Sequence, residues 1–309
     1  MIVHALKTNV ETLATCRPEP RYGAGELPVE YTPLNPRTLR AAEQFGPLVF
    51  QISRSSHNHH LEFISRCIGR EPARNSDRLY AFEFWPLPRV MSQWRFGRLN
   101  EVISVRAERH VHFWPAAEEP LWGETTVRSV TVKNGLCFGF FDSVTKTTGG
   151  GICMTAEDVL LLANGCDSDA LREAVSQVSK SGTFISAPDR ASLLGSWPLQ
   201  MRYAWPVTKW KNNIHTDVYA QMLGYQRGLV EGPGVADVVH AVDSARFGTG
   251  LQFRLSWKYL APLYESTAVA VVSAPSSNAD LRRYSVCEFP ARLTATCRVL
   301  LQVELESSR

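Results

Sequence analysis

Within Trp205–Val242 of the 309-residue chain, a lone Ile214-His215-Thr216-Asp217 is followed by a glycine-punctuated loop and then by Glu231-Gly232-Pro233-Gly234. As a residue type, histidine moves protons near neutral pH. A helix start offers backbone N–H groups, at the positive end of the helix dipole, to an oxygen that gains charge. Together these residues suit polarising a carbonyl and shifting a proton beside it. The glycines at 232 and 234 let a ligand or another backbone come close. On the motif alone, an ordinary helix start preceded by a turn accounts for these residues slightly better than a binding site does.

These residues need a helix to hold them, and the sequence supplies one. Pro233 suits the first helical position, where a missing N–H costs nothing. Val235, Val238, Val239 and Val242 then repeat at i, i+3, i+4 and i+7. Helix propensity does not favour so many β-branched residues, so strands must wrap this helix and hold it.

Elsewhere the pattern is mostly that of a sheet. PRTLRAAEQF is a short helix candidate followed by the strand-like LVFQIS, and SSHNHHLEFISRCIGREP is a helix with Ser55 or Ser56 as N-cap. LYAFEFW, RFGRLNEVISVRAERHVHFW, TTVRSVTVKNGLCFGFFDSVTK and GICMTAEDVLLLA alternate or are β-branched, with turns at Lys133-Asn134-Gly135 and Thr148–Gly151. After a polar stretch with a short helix at DALREAVSQV, the order of helix and then strands repeats. The expected division is a first half over 1–165 with an irregular N-terminal extension, a linker over 166–196, and a second half over 197–309 carrying the site. That is a duplicated α+β unit, too diverged for a visible sequence repeat.

Composition narrows the function classes. A 44% apolar content is enough for a real core, and a net charge of +3 with scattered basic residues gives no case for nucleic acid or an anionic membrane. No run of about 18 apolar residues suggests a membrane span. The N-terminal segment does not look like a secretory signal, and seven cysteines without a C-x-x-C fit free thiols in the cytoplasm. His57, His59 and His60 do not share a helix face as i, i+4 ligands would, so a solvated helix start is expected of them. His110 and His112 share a strand face without a third ligand, which fits cross-strand packing. No metal or other cofactor is expected. Trp85, Trp94, Trp114 and Trp122 are expected mostly in core or inter-half packing, and Asp217 as a helix-stabilising acid.

In that layout the chain resembles a double hotdog of the MaoC-like superfamily, and within it the type 2 3-hydroxyacyl-thioester dehydratases. FEFWPLPRVMSQWRFGRL, WGETTVRSVTVKNGLCFGFFDSVTKTTGGGICMTAEDVLLL, NNIHTDVYAQMLGYQRGLVEGPGVADVV and FRLSWKYLAPLY carry the likeness over roughly Leu79–Ala274. It implies an α+β fold of two fused units, each a sheet wrapped around a central helix. It also implies reversible syn elimination of water from a 3-hydroxyacyl or polyketide-type thioester, on acyl carrier protein or coenzyme A, in fatty-acid or specialised metabolism. His215 matches the catalytic imidazole, and Gly232 with Gly234 the thioester-binding helix start. Trp210, Asn212 and Trp94 would line the substrate site. Arg89 would meet a phosphopantetheine phosphate, with a surface salt bridge as its plainer role. A monomer or homodimer is implied.

Two positions depart from the family pattern. Trp210 stands where the family has Asp or Asn, and indole cannot hand a proton to a leaving hydroxyl. Glu231 stands where it has His, and a carboxylate beside the amide-rich helix start suits accepting a proton better than giving one. The alternatives are an acid–base set rebuilt from His215 and Glu231, a diverged cyclase or isomerase, or a non-catalytic acyl-binding protein.

Overall fold

The computed structural model describes residues 36–69, 77–88, 102–186, 193–199, 214–248, 252–274, 280–288 and 296–308. The N-terminal half runs β1 (Gln44–Phe50), helix α1 (Arg54–Ile68), β2 (Val102–Val111), β3 (Leu121–Lys133), β4 (Leu136–Thr147) and β5 (Ile152–Leu162). Helices α2 (Ser168–Lys180) and α3 (Asp217–Met222) and strand β6 (Thr183–Ser186) lie between this half and the core of the next. The second half runs β7 (Leu193–Pro198), helix α4 (Gly232–Phe247), β8 (Gln252–Tyr259), β9 (Ala268–Ala274), β10 (Leu281–Glu288) and β11 (Thr296–Ser308).

All the strands join in one 11-stranded sheet, ordered β1-β3-β4-β5-β2-β8-β11-β10-β9-β7 with β6 on β11. Within each half the order is first, third, fourth, fifth, second, and the two halves meet as mirror images at the antiparallel β2–β8 pair. Duplication is therefore written in the topology where no sequence repeat shows it. Asn134 and Gly135 both take positive φ in the β3–β4 hairpin, as an Asn-Gly turn requires.

Local expectations met several corrections. PRTLRAAEQF forms only one 3-10 turn at Pro36–Thr38, and its last residues already belong to β1. Helix α1 starts earlier than expected, capped by Ser53, whose side chain accepts the Ser56 N–H at 3.1 Å. LYAFEFW is not a strand. It is a turn-rich segment pushed into the core, where Leu79, Tyr80, Phe82, Glu83 and Phe84 are all buried. The polar stretch 166–196 is more than a tether, because β6 pairs with β11 and β7 closes the far edge of the sheet on β9.

The largest correction concerns the histidines of α1. His57 and His60 are fully buried rather than solvated. His57 Nδ1 lies 2.9 Å from both Glu83 carboxylate oxygens, and His60 Nε2 donates to Asp237 of α4 at 3.0 Å. Their carboxylate partners come from distant segments, so no local pattern announced them. His110 instead lies at the edge of the seam between the halves, 2.8 Å from Glu108.

Helix α4 is the core of the second half, with every residue from Val235 to Ser244 buried. Three of its polar side chains meet other elements. Asp237 accepts from His60 and, at 3.2 Å, from the Phe82 amide. His240 clusters with Trp114 and Phe253, with ring centroids 5.4 and 4.4 Å away, and those two rings also touch each other at 4.9 Å. Asp243 takes a bidentate Arg282 at 2.6 and 3.0 Å and the Tyr284 hydroxyl.

At the seam, β2 carries a buried Arg109. Its guanidinium donates to Asp158 of β5 at 2.7 Å and lies 4.8 and 4.9 Å from the ring centres of Trp85 and Trp257. The Trp85 indole N–H donates to the other Asp158 oxygen at 3.0 Å. Removing one member of such a pair leaves an uncompensated buried charge. Asp158→Ala should therefore cost about 3–5 kcal/mol in chemical denaturation. The double variant Arg109→Met/Asp158→Leu should lose much less than that.

Glu108, also on β2 and buried, reaches Arg254 of β8 at 2.8 Å. Burial pushes its carboxyl up, but the hydrogen bonds from Arg254 and then His110 outweigh that and hold it below its ordinary value. The stability this group contributes is present above the ordinary carboxylate range and is lost as pH falls through the lowered value. Glu108→Gln should flatten that acid limb when unfolding midpoints are measured across a pH series.

Candidate functional site

The half-buried His215 sits on the turn that leads into α3. Its Nδ1 donates to the Leu229 carbonyl at 2.5 Å, and the Leu229 N–H returns a bond to the Ile214 carbonyl at 2.9 Å. Because a carbonyl only accepts, Nδ1 carries the proton in the neutral ring and Nε2 is the basic nitrogen. Asp217 opens α3, where an acid is favourable, and also accepts the Gly228 N–H at 2.7 Å. Gly228 is demanded by this crossing, since a Cβ there would lie 2.4 Å from the His215 carbonyl oxygen.

The chain then passes from one face of the sheet to the other. Leu229 packs with Tyr219, Tyr225 and the linker-helix residues Leu171 and Val175, whereas Val230 belongs to the main core. Leu229 bridges to Tyr264, and the Val230 N–H donates to Leu263 at 2.8 Å. Helix α2 therefore props the outer side of the site. Gly224, at φ +96, brings the α3 exit to within 3.6 Å of a Val175 methyl, measured from the position of its absent Cβ. Burial pushes the Tyr225 phenol up to about 12, with Tyr264 adding to the effect.

Two residues beyond Leu229, Glu231 is the N-cap of α4 and is only 6% exposed. Its carbonyl accepts the Gly234 and Val235 N–H groups at 3.1 and 3.3 Å, so the Gly234 amide is turned inward to close the first turn. Pro233 has no N–H to give. Among the described residues, the amide left for a ligand oxygen at this helix start is therefore that of Gly232. The expected trio of Glu231, Gly232 and Gly234 does share one turn, and the chain through Leu229 links it to His215. Trp210, Asn212, Arg89 and Trp94 lie outside the described residues.

Tyr259 is the residue that sequence reasoning missed. A Cβ on Gly232 would lie 2.0–2.4 Å from the Tyr259 ring and hydroxyl. The Trp257 indole N–H donates to that hydroxyl at 2.9 Å, and Ser104 of β2 bonds it as well. Burial holds the phenol well above its ordinary value, so it is a neutral hydroxyl at physiological pH. Gly232 thus makes room for an aromatic ring of its own chain, and the only signal for it was the glycine itself. Gly234 differs, since its absent Cβ would make ordinary contacts of 3.6 and 3.9 Å with Phe63 and Phe82.

The fold is shared with known structures. HtdX of Mycobacterium tuberculosis superposes with a TM-score of 0.61 over 86% of this chain and 100% of its own, at 12% identity. A second M. tuberculosis protein, described as having a double hotdog fold, covers 90% of this chain and 98% of its own at a TM-score of 0.57 and 11% identity. The chain has a double hotdog fold. A MaoC-like dehydratase from Phytophthora capsici aligns on the same double hotdog at a TM-score of 0.56 and 10% identity, over 89% of this chain and 98% of its own. No protein-family model and no curated protein matches the sequence. At these identities the likeness is one of fold, and among the described residues no helix is long and apolar enough to cross a membrane.

The contact at Gly232 can be tested directly. Gly232→Ala should destabilise the double hotdog by about 1–3 kcal/mol through overpacking against Tyr259. In a double-mutant cycle read by urea unfolding, Tyr259→Leu should remove most of that penalty.

Proposed function

We propose that this double hotdog is a hydro-lyase-like enzyme acting on an acyl thioester by proton transfer at the carbon next to the carbonyl. One observation carries the reading. The Nδ1 bond from His215 to the Leu229 carbonyl leaves Nε2 as the base, and its acceptor Leu229 lies two residues before Glu231, the N-cap of α4. A thioester carbonyl bonded to the Gly232 amide gains negative charge as its α-proton leaves, and the positive end of the α4 dipole favours that charge.

His215 Nε2 takes the α-proton and the electron pair passes to the carbonyl oxygen. As that charge returns, the C–O bond at the β-carbon breaks and the hydroxyl leaves as water, taking the proton back from the imidazolium. A single histidine can run both transfers when the two groups leave on the same face. This matters because Trp210 removes the acid that the family pattern supplies. Glu231 is assigned a supporting role beside the imidazolium, with carrier protein or coenzyme A as the thioester partner in the cytoplasm. A cyclase or isomerase of a similar acyl chain would use the same first step without loss of water.

Purified protein assayed on a panel of 3-hydroxyacyl thioesters should show dehydration. His215→Ala should reduce kcat by at least about 10²–10⁴-fold, the usual worth of general acid–base catalysis. Glu231→Gln should reduce it by a smaller factor. No turnover by wild type on any thioester would overturn the dehydratase reading. Turnover unchanged in His215→Ala would overturn the assignment of the base.

A further inference from the structure

The first turn of α4 has two flanks without side chains, and rings of this chain fill both. Tyr259 occupies the Gly232 flank, and Phe63 with Phe82 stands against Gly234. Phe63 and Phe82 are each 4% exposed. Phe82 belongs to the turn-rich segment over Leu79–Leu87, which is fastened at several separate points. The Leu79 N–H donates to Pro115 at 3.0 Å, the Phe82 N–H to Asp237 at 3.2 Å, and Thr145 donates to the Phe84 carbonyl at 2.9 Å. The Trp85 bond to Asp158 ties the same segment to the seam. Tyr259 is fastened by Trp257 and Ser104. A wall held at so many points does not give way to a ligand at low cost.

We infer that Phe82 and Tyr259 set an upper limit on acyl length, so that the site takes short acyl groups and rejects long ones. The inference rests on the thioester reading of the α4 start. A carbonyl held at the Gly232 amide has the Tyr259 ring beside it, and a chain directed along the helix meets Phe82 and Phe63 within the first turn. Phe82 is the residue whose removal opens apolar volume along α4 without touching His215, Glu231 or the Gly232 amide. A cavity cut into an apolar core stays dry and accepts apolar groups.

The test is calorimetric binding of butyryl-pantetheine and dodecanoyl-pantetheine to the full chain. These saturated thioesters carry the part common to coenzyme A and carrier protein and have no hydroxyl to eliminate. Wild type should bind the butyryl thioester at least about tenfold more tightly, the discrimination that steric fit in an apolar pocket supplies. Phe82→Ala should shift the ratio by about tenfold or more towards the dodecanoyl thioester, and the milder Phe82→Leu should shift it by less in the same direction. Equal or tighter dodecanoyl binding by wild type would overturn the length limit and leave the thioester reading standing. An unchanged ratio in folded Phe82→Ala or Phe82→Leu would overturn the role of Phe82. Binding of neither thioester would overturn the thioester reading itself, and this inference with it.

Discussion

The antiparallel pairing of β2 with β8 is the constraint on which the rest of the molecule depends. A hotdog unit alone ends at that strand with its backbone groups unpaired, and an exposed edge invites association. Here each half closes the edge of the other, so the chain forms within itself the unit that single copies would form by dimerising. The pairing also brings charges from the two halves together. Glu108 of β2 meets Arg254 of β8, and Arg109 stacks on Trp257 of β8 while paired with Asp158 of β5.

That seam is coupled to the candidate site by contact. From Asp158 the contacts run through Arg109 to Trp257, from its indole N–H to the Tyr259 hydroxyl, and from Tyr259 to the bare face of Gly232. Each link is short, and together they place the start of α4 relative to strands of both halves. On the far side, α2 and α3 hold the His215 loop against the outer face of the sheet. The histidine and the helix start are thus set by two different cores, linked by the crossing at Leu229 and Val230.

Much of this was legible in the chain. The valine spacing of α4, the strands with their Asn-Gly and glycine turns, and the order of helix before strands all follow from local patterns, and the hotdog likeness followed from their sequence. His215, Glu231 and Gly232 stood out because an imidazole, a carboxylate and a side-chain-free helix start are conspicuous at that spacing. Less legible were residues whose partners are far along the chain. LYAFEFW has the composition of a strand, yet it is bonded to Asp237, Asp158, Pro115 and Thr145, and those bonds hold it in turns. The α1 histidines had no local partner, so their burial against Glu83 and Asp237 could not be read from their neighbours.

By itself, the sequence determined most of the segments that become helices and strands, because those choices depend on periodicity, capping and turn residues within a few positions. It also determined the residue types gathered at the α4 start. Only the tertiary structure decided the proton position on His215, through the Leu229 carbonyl, and the reason Gly232 must be glycine, through Tyr259. Both depend on atoms brought within about 3 Å by the fold, at hydrogen-bond or contact distance. No spacing in the chain encodes such a distance, since it exists only once segments apart in the sequence have packed together.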